Sequence, residues 1–227
     1  MARFRAGFLQ GGSCIIPGFG EPNLVSLLEN ANGITLAEAK AASVASLTPI
    51  DQGVVVIDGA RWKWDAASTL TGDDILVTEI TAAPAAGRFL RLPGYCELVL
   101  PFTYATADAA VLYTMPTGAK FMPYDFSWTV GTGFTGGTSS AIGVSTTKSG
   151  MTTKGDLLGG ATGDLAATLV AGTYILGTIG TVWTTPTERR KVWAATEIFR
   201  FDRIASAFTA GSGSVRVGGF LLANAGA

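Results

Sequence analysis

The chain contains no histidine among its 227 residues. Histidine is the commonest general acid or base near neutral pH and the commonest metal ligand in proteins. Its absence excludes Ser-His-Asp and Cys-His catalysis and most zinc sites. We therefore expect no enzymatic activity, no catalytic residues, no metal and no cofactor.

Charge is also scarce. Charged residues make up 15% of the chain, against roughly 25% in a typical soluble domain. The net charge of −1 provides no basic field, so nucleic acid is not an expected partner. The mean hydropathy of +0.36 is high for a protein that stays dissolved as a monomer, which indicates that part of the surface is covered in an assembly.

Cysteine occurs only at Cys14 and Cys96, with no CxxC motif. Two free thiols and a disulfide, within or between chains, are both compatible with this spacing, and free thiols fit assembly in a reducing cytoplasm. The basic start of the chain lacks the apolar run of a secretory signal. The uncharged stretch 165–183 contains three glycines and four threonines, so two buried strands explain it better than a membrane-spanning helix. A membrane is not an expected partner.

Glycine, in contrast, is abundant. Its 30 residues are about twice the usual share of roughly 7%, and with many Thr, Val and Ile they indicate short strands joined by tight turns. The predicted fold is mainly β: a small β-sheet unit followed by a jelly-roll-like β-sandwich, with an N-terminal extended arm and two short helices. The candidate strands of the sandwich are 97–103, 110–115, 120–130, 140–146, 165–169, 174–179, 191–201 and 215–223.

Three segments are predicted. Residues 1–48 form an arm and two short helices, 22–30 and 36–47, the second with capping-box spacing from Thr35 to Glu38. Residues 49–94 form a small sheet from runs at 54–57, 61–64, 75–80 and 88–92, with Asp58-Gly59 as a turn. Residues 95–227 form the sandwich. We expect the first segment to dock onto a neighbour through Phe4, Arg5, Phe8, Leu24, Leu27 and Leu28.

Several motifs favour structure over chemistry. Gly131, Gly133 and Gly136 match GxGxxG, but no helix is predicted to follow, so a β loop is favoured over a dinucleotide site. Asp73 and Asp74 alternate in direction on an extended chain and are expected to cap backbone amides rather than act as a catalytic pair.

Three other sets of residues are interpreted in the same way. Asp156 and Asp164 are interpreted as turn caps rather than calcium ligands. Arg88 and Arg91 are each expected to pair with carboxylates of the small sheet, such as Asp65, Asp73 or Asp74. The tryptophans are expected in the core or a subunit interface rather than on a glycan-stacking surface; they are Trp62, Trp64, Trp128, Trp183 and Trp193.

The segment from Val56 to Arg91 resembles the particle-proximal module of bacteriophage tailspikes. It contains Val56-Ile-Asp-Gly-Ala-Arg-Trp-Lys-Trp-Asp65, a small-residue stretch, Gly72-Asp-Asp74, a strand, and Gly87-Arg-Phe-Leu-Arg91. The resemblance implies an attachment or connecting unit. The tailspike family continues into a long parallel β-helix, whereas only 133 residues follow residue 94 here, without a β-helix repeat. The glycine-rich stretches 128–143 and 155–160 are similar to phage head-decoration proteins.

These observations predict a phage capsid decoration, or cement, protein located in the virion and assembled in the host cytoplasm. Its expected partners are itself, as a homotrimer, and the major capsid protein or other virion proteins. The alternative is a tail-fibre or tailspike adaptor that binds a receptor, in which case a glycan becomes a partner. A third hypothesis is a small polysaccharide-degrading enzyme that uses only Asp and Glu.

Overall fold

The computed structural model describes the protein as mainly β, which confirms the predicted fold class. The chain divides into two compact units: unit 1 comprises residues 1–93 and 223–227, and unit 2 comprises residues 94–222. The chain therefore leaves unit 1 after Pro93 and returns to it at Ala223. The described residues are 8–9, 13–14, 33–42, 54–81, 86–136, 140–159, 163–165, 169–172, 174–175, 177–180, 182–204 and 207–224.

Unit 1 contains a short antiparallel strand pair and a four-stranded antiparallel sheet. The pair is formed by β1 (Phe8–Leu9) and β2 (Ser13–Cys14). The sheet, hereafter the small sheet, has the order β3-β4-β6-β5, and the sheet predicted for this part of the chain is thereby confirmed. Its strands are β3 (Val54–Ile57), β4 (Ala60–Asp65), β5 (Val77–Glu79) and β6 (Arg88–Arg91).

The turn between β3 and β4 follows directly from its two residues. Asp58 and Gly59 have φ angles of 46° and 75°, and Ile57 pairs with Ala60 on either side of them. A two-residue hairpin with positive φ at both central positions favours Asp or Asn followed by Gly. The predicted Asp58-Gly59 turn is confirmed.

Helix α1 (Leu36–Ala41) begins at the predicted capping box. The hydroxyl of Thr35 accepts a hydrogen bond of 3.2 Å from the Glu38 amide, and the Glu38 carboxylate accepts one of 2.7 Å from the Thr35 amide. The helix is shorter than the predicted 36–47, because Ala42 already has extended backbone with a ψ of 150°. The predicted helix at 22–30 lies outside the described residues.

The core of unit 1 is shared between α1 and the small sheet. Ala39 of the helix is fully buried in one cluster with Trp64 and Phe89, whose rings meet edge to face at 5.1 Å. The described part of the segment before residue 49 therefore packs on the small sheet, and both belong to unit 1.

The described part of unit 2 contains two four-stranded antiparallel sheets. Sheet I has the order β12-β9-β14-β7, and sheet II has the order β11-β10-β13-β8. A short 3-10 helix, Glu188–Arg190, precedes β13. The strands are β7 (Gly94–Thr103), β8 (Val111–Thr114), β9 (Lys120–Thr135), β10 (Ala141–Thr146), β11 (Asp164–Leu165), β12 (Tyr174–Ile175), β13 (Ile198–Ile204) and β14 (Ala210–Ala223).

The strand pairs of unit 2 are nested. The first strand, β7, pairs with the last, β14, and the second, β8, pairs with the second last, β13. Inside these, β9 pairs with β12 and β10 with β11. The eight strands are therefore connected like one long hairpin whose successive strand pairs alternate between sheet I and sheet II.

Aromatic side chains from sheets I and II meet between them. The ring of Phe102 on β7 lies 4.9 Å from that of Phe201 on β13, and Phe126 on β9 lies 6.1 Å from Phe199 on β13. None of the five tryptophans is more than 4% exposed. The expectation that they serve as core residues rather than as a glycan-stacking row is confirmed.

Several strand bounds of unit 2 differ from the prediction. Strand β13 begins at Ile198 rather than at residue 191, and β14 begins at Ala210 rather than at residue 215. Of the strands expected at 165–169 and 174–179, the described residues contain β11 and β12. Strand β9 extends past the predicted end at residue 130 to Thr135, so Gly131 and Gly133 of the GxGxxG match lie within a strand rather than in a loop. Among the described residues, no helix is both long and apolar enough to cross a membrane.

Candidate functional site

The outer face of sheet I, which points away from sheet II, carries exposed apolar side chains. On β7 the buried residues Cys96, Leu98 and Leu100 alternate with the outward residues Tyr95 and Val99, as the period of two in a strand requires. Strand β14 continues the outward face with Phe220 and Leu222. The outer-face patch is defined as Tyr95, Glu97, Val99, Asp125, Arg216, Phe220 and Leu222.

The apolar part of the patch is unusually open to solvent. Tyr95 is 58% exposed, Val99 46%, Phe220 41% and Leu222 46%. Tyr95 and Phe220 are directly opposite each other across the β7–β14 pair, and their rings meet edge to face with centroids 5.7 Å apart. Contiguous exposed apolar side chains of this kind mark interaction surfaces more often than single ones do.

A charged pair lies between the apolar residues. Arg216 on β14 donates to the Glu97 carboxylate on β7 through Nε, at 2.7 Å, and through Nη2. A bidentate guanidinium–carboxylate pair is geometrically specific and stronger than a single neutral hydrogen bond.

Asp125 on β9 adds a second carboxylate beside this pair. Its carboxylate and the Tyr95 hydroxyl both lie over Gly218, where a β-carbon would collide with them. Partial burial and the nearby charge of Glu97 raise the pKa of Asp125 above its ordinary value, and the charge of Arg216 opposes that rise. The site therefore combines exposed aromatic side chains with two carboxylates. That of Glu97 is bound by Arg216, and that of Asp125 is destabilised in its charged form.

A second polar cluster lies on sheet II and is fully enclosed. Ser145 and Asp202 are both 0% exposed; the Ser145 hydroxyl donates to Asp202 at 2.7 Å and accepts from Arg200 at 2.8 and 3.0 Å. The Gly155 amide also donates to Asp202, at 3.0 Å. These contacts tie β10 and β13 to the turn at Gly155, which is a structural role.

The Asp73-Asp74 pair behaves partly as predicted. The Asp73 carboxylate accepts hydrogen bonds from the amides of Ile75, Leu76 and Val77 at 2.8–2.9 Å, which confirms backbone capping. Asp74 instead pairs with Lys40 of α1 at 2.6 Å. The two carboxylates are therefore occupied separately.

Asp156 and Asp164 also differ from each other. Asp156 accepts from the Thr153 amide at 2.8 Å, which confirms its capping of a turn. Asp164 lies on β11 and accepts from the Trp128 indole at 2.5 Å and the Thr178 hydroxyl at 2.6 Å. The prediction of a turn cap at Asp164 is wrong, because this side chain binds groups distant in sequence.

The prediction that the two arginines on β6 pair with carboxylates of the small sheet is confirmed for Arg88, although its partner is Glu79 and none of the three aspartates named as examples, and it is wrong for Arg91. Arg88 pairs with Glu79 at 3.0 Å and donates to the Leu70 carbonyl. Arg91 lies over the ring of Trp62, 6.0 Å from its centroid. Residue spacing along a strand fixes the face of a side chain, but not which carboxylate on neighbouring strands it reaches.

The predicted docking residues are not brought into any described site. The side chains of Phe4, Arg5, Phe8, Leu24, Leu27 and Leu28 lie outside the described residues, as does that of Cys14. Cys96 is buried on β7. The docking role of the first group and the free thiol state of the cysteines stay predictions.

The outer-face patch was not predicted from the sequence. It could have been found from a strand that carries apolar residues on both faces, such as Tyr95-Cys96-Glu97-Leu98-Val99-Leu100. A strand with one solvated face would alternate apolar with polar side chains. No family model, curated protein or solved structure matches the chain.

Proposed function

We propose that this chain is a non-enzymatic structural protein of a bacteriophage particle, acting as a capsid decoration protein that packs against copies of itself and against shell subunits. The observation that carries the proposal is the outer-face patch. Tyrosine, phenylalanine and arginine are enriched at protein interfaces, and here Tyr95 and Phe220 are exposed and Arg216 is half-buried on the same sheet face. Burial of this face would supply the binding free energy.

The strand connectivity of unit 2 supports the proposal at the level of fold. Four nested antiparallel pairs distributed over two sheets are the arrangement of an eight-stranded jelly roll, the architecture that we propose for this unit. Jelly rolls occur in viral capsid proteins and also in lectins and cupins. Because one fold supports many functions, the proposal rests mainly on the outer-face patch rather than on the topology.

A second candidate, a tail adaptor that binds a receptor glycan, is favoured by a separate observation. The Tyr95 hydroxyl and the Asp125 carboxylate lie together over Gly218, and Phe220 packs against the Tyr95 ring; sugars are bound by aromatic faces flanked by polar groups. The resemblance of residues 56–91 to the tailspike module fits the same candidate. An enzyme acting on the glycan would need two working carboxylates, whereas Glu97 is already held by Arg216.

Quantification of the chain in purified particles tests the proposal. A decoration protein is expected at hundreds of copies per particle and on the head in immunogold electron micrographs. A few dozen copies or fewer, with label on the tail, would instead support the tail-adaptor function. Absence of the chain from particles would contradict both.

The role of the patch is tested by adding recombinant chain to particles that lack it. The double variant Val99→Ser/Phe220→Ser is expected to bind at least about tenfold more weakly than the wild type. The matched control is Tyr104→Ser/Val111→Ser, which replaces an aromatic residue and a valine of similar exposure (44% and 55%) outside the patch. Equal binding by the two variants would show that the patch is not the contact surface.

A further inference from the structure

Strand β7 lies at an end of sheet I. Among the described strands, only β14 pairs with it, through ten registered residue pairs from Gly94 with Leu221 to Thr103 with Ser212. An edge strand of this length presents a row of backbone groups that can pair with another strand. What the edge can accept depends on which of its residues direct their amides outward.

One hydrogen bond fixes that direction. The Tyr104 amide donates to the carbonyl of Gly211 on β14 at 2.9 Å, so Tyr104 belongs to the set of residues whose backbone groups point toward β14. In an antiparallel pair this set alternates along the strand. Glu97 and Val99 therefore direct their N–H and C=O groups to the outer edge, where the Thr103 amide is bonded to the Thr106 hydroxyl at 2.9 Å.

Two prolines limit the part of the edge that can pair. Pro101 also faces the outer edge and has no N–H, which is the position where a strand tolerates proline. Pro93 stands four residues before Glu97 and Pro101 four residues after it. The stretch that offers donors is therefore symmetric about Glu97, and an antiparallel copy of the same stretch matches it with both prolines outside the paired region.

We propose that two copies of the chain associate by antiparallel pairing of their β7 strands, with a twofold axis through Glu97. Glu97 then exchanges two backbone hydrogen bonds with Glu97 of the second copy, and Val99 lies opposite Tyr95 of the second copy. An aromatic residue opposite a β-branched one is a favourable cross-strand pair. The two sheets I join into one, and the outer-face patches of both copies become continuous.

The two Glu97 side chains would repel each other if they were bare, since like charges opposite each other destabilise a strand pair. Each is instead held by its own Arg216 through two hydrogen bonds. Across the contact the order is Arg216, Glu97, Glu97 of the second copy and its Arg216, so each carboxylate beside the axis is paired with the guanidinium of its own copy and the row has no net charge. This inference deepens the proposed function, because it names the contact between copies on which packing in the particle would rest.

The molar mass of the purified chain over a concentration series, measured by light scattering after size exclusion, tests the pairing. The wild type is expected to be dimeric. Val99→Lys places a charge on the paired edge and is expected to raise the dissociation constant at least about tenfold. Val111→Lys is the matched control, since Val111 is an exposed valine on β8, at the end of sheet II, and is expected to leave dimerisation unchanged.

Hydrogen exchange of the wild type provides a readout that needs no variant. The amides of Glu97 and Val99 are expected to exchange more slowly as protein concentration rises, while that of Leu98, which points to β14, is unchanged. A monomer at all concentrations, a trimer, or equal effects of the two lysine variants would overturn the pairing. None of these results bears on whether the chain is present in particles, so failure of this inference is distinguishable from failure of the proposed function.

Discussion

The side-chain amide of Asn224 donates a hydrogen bond of 2.8 Å to the carbonyl oxygen of Leu76, from which it is separated by 148 positions in the chain. A second bond, of 3.3 Å, reaches the Arg91 carbonyl. Asn224 is only 5% exposed. The residue therefore anchors the returning chain within unit 1, to which Leu76 and Arg91 also belong.

Replacement of Asn224 by alanine is expected to destabilise unit 1. The variant removes the hydrogen bonds that the Asn224 amide donates to the carbonyls of Leu76 and Arg91. The Leu76 carbonyl keeps its bond from the Arg91 amide, so the expected cost is that of the lost hydrogen bonds, each contributing about 0.5–1.5 kcal/mol net. Urea unfolding followed by tryptophan fluorescence would measure the loss. Leu222→Ala, an exposed position two residues earlier, is the control and is expected to change the free energy of unfolding by less than about 0.5 kcal/mol. Equal stability of both variants would contradict a structural role for Asn224.

The contrast between Asp58-Gly59 and Asn224 shows which features of the fold can be predicted from the sequence. The hairpin is readable because its φ angles are imposed by adjacent residues, and the capping box at Thr35 is readable for the same reason. Nothing near Asn224 in the chain specifies Leu76 as its partner. The same limit applies to the nested pairs of unit 2, since the residues of β7 do not indicate that β14 is the strand they will meet.

The candidate site illustrates the same limit for function. The period of two in a strand divides the residues of β7 and β14 between two faces. The sequence does not say which of these faces points outward, because that depends on where sheet II lies. Glu97 and Arg216 became a pair only through the β7–β14 register. The tryptophans, which the sequence makes conspicuous, are buried, and the exposed aromatic surface consists of tyrosine and phenylalanine.

Gly213 and Gly131, on adjacent strands of sheet I, are expected to respond differently to alanine. A β-carbon on Gly213 would lie 2.5 Å from the backbone carbonyl oxygen of Thr129, whereas the nearest atom to one on Gly131 is the Ser212 hydroxyl at 3.4 Å. Gly213→Ala is expected to cost about 1–3 kcal/mol, because backbone must move. Gly131→Ala is expected to be neutral or slightly stabilising. Similar unfolding midpoints for the two variants would refute this difference.

The electrostatics of the outer-face patch predict opposite shifts from two substitutions. Because the charge of Glu97 raises the pKa of Asp125 and that of Arg216 lowers it, Glu97→Gln is expected to lower this pKa and Arg216→Gln to raise it. Carbon-13 NMR titration of the side-chain carboxyl groups would resolve both. The carboxyl of Asp108, which pairs with Lys154 and none of these residues, is the internal reference. Shifts of the same sign in the two variants would contradict the arrangement.

Asp202 is expected to make stability depend on pH in an unusual direction. Burial raises its pKa in the folded chain above the ordinary value of 3.8, although Ser145, Gly155 and Arg200 oppose the rise. In the pH range just above 3.8 the folded state therefore holds more of this proton than the unfolded state does. The contribution of Asp202 to the free energy of unfolding must then fall as pH increases through that range.

Comparison with Asp202→Asn isolates this contribution, because asparagine does not titrate. The free energy of unfolding of the wild type minus that of the variant is expected to decrease as pH rises above 3.8. Asp108 supplies the opposite case: hydrogen bonds from Lys154 and the Arg203 amide outweigh its partial burial and lower its pKa. The corresponding difference for Asp108→Asn is therefore expected to increase with pH in the range below 3.8 and then level off. Slopes of the same sign for the two carboxylates would mean that Asp202 is not held in the enclosed environment described for it.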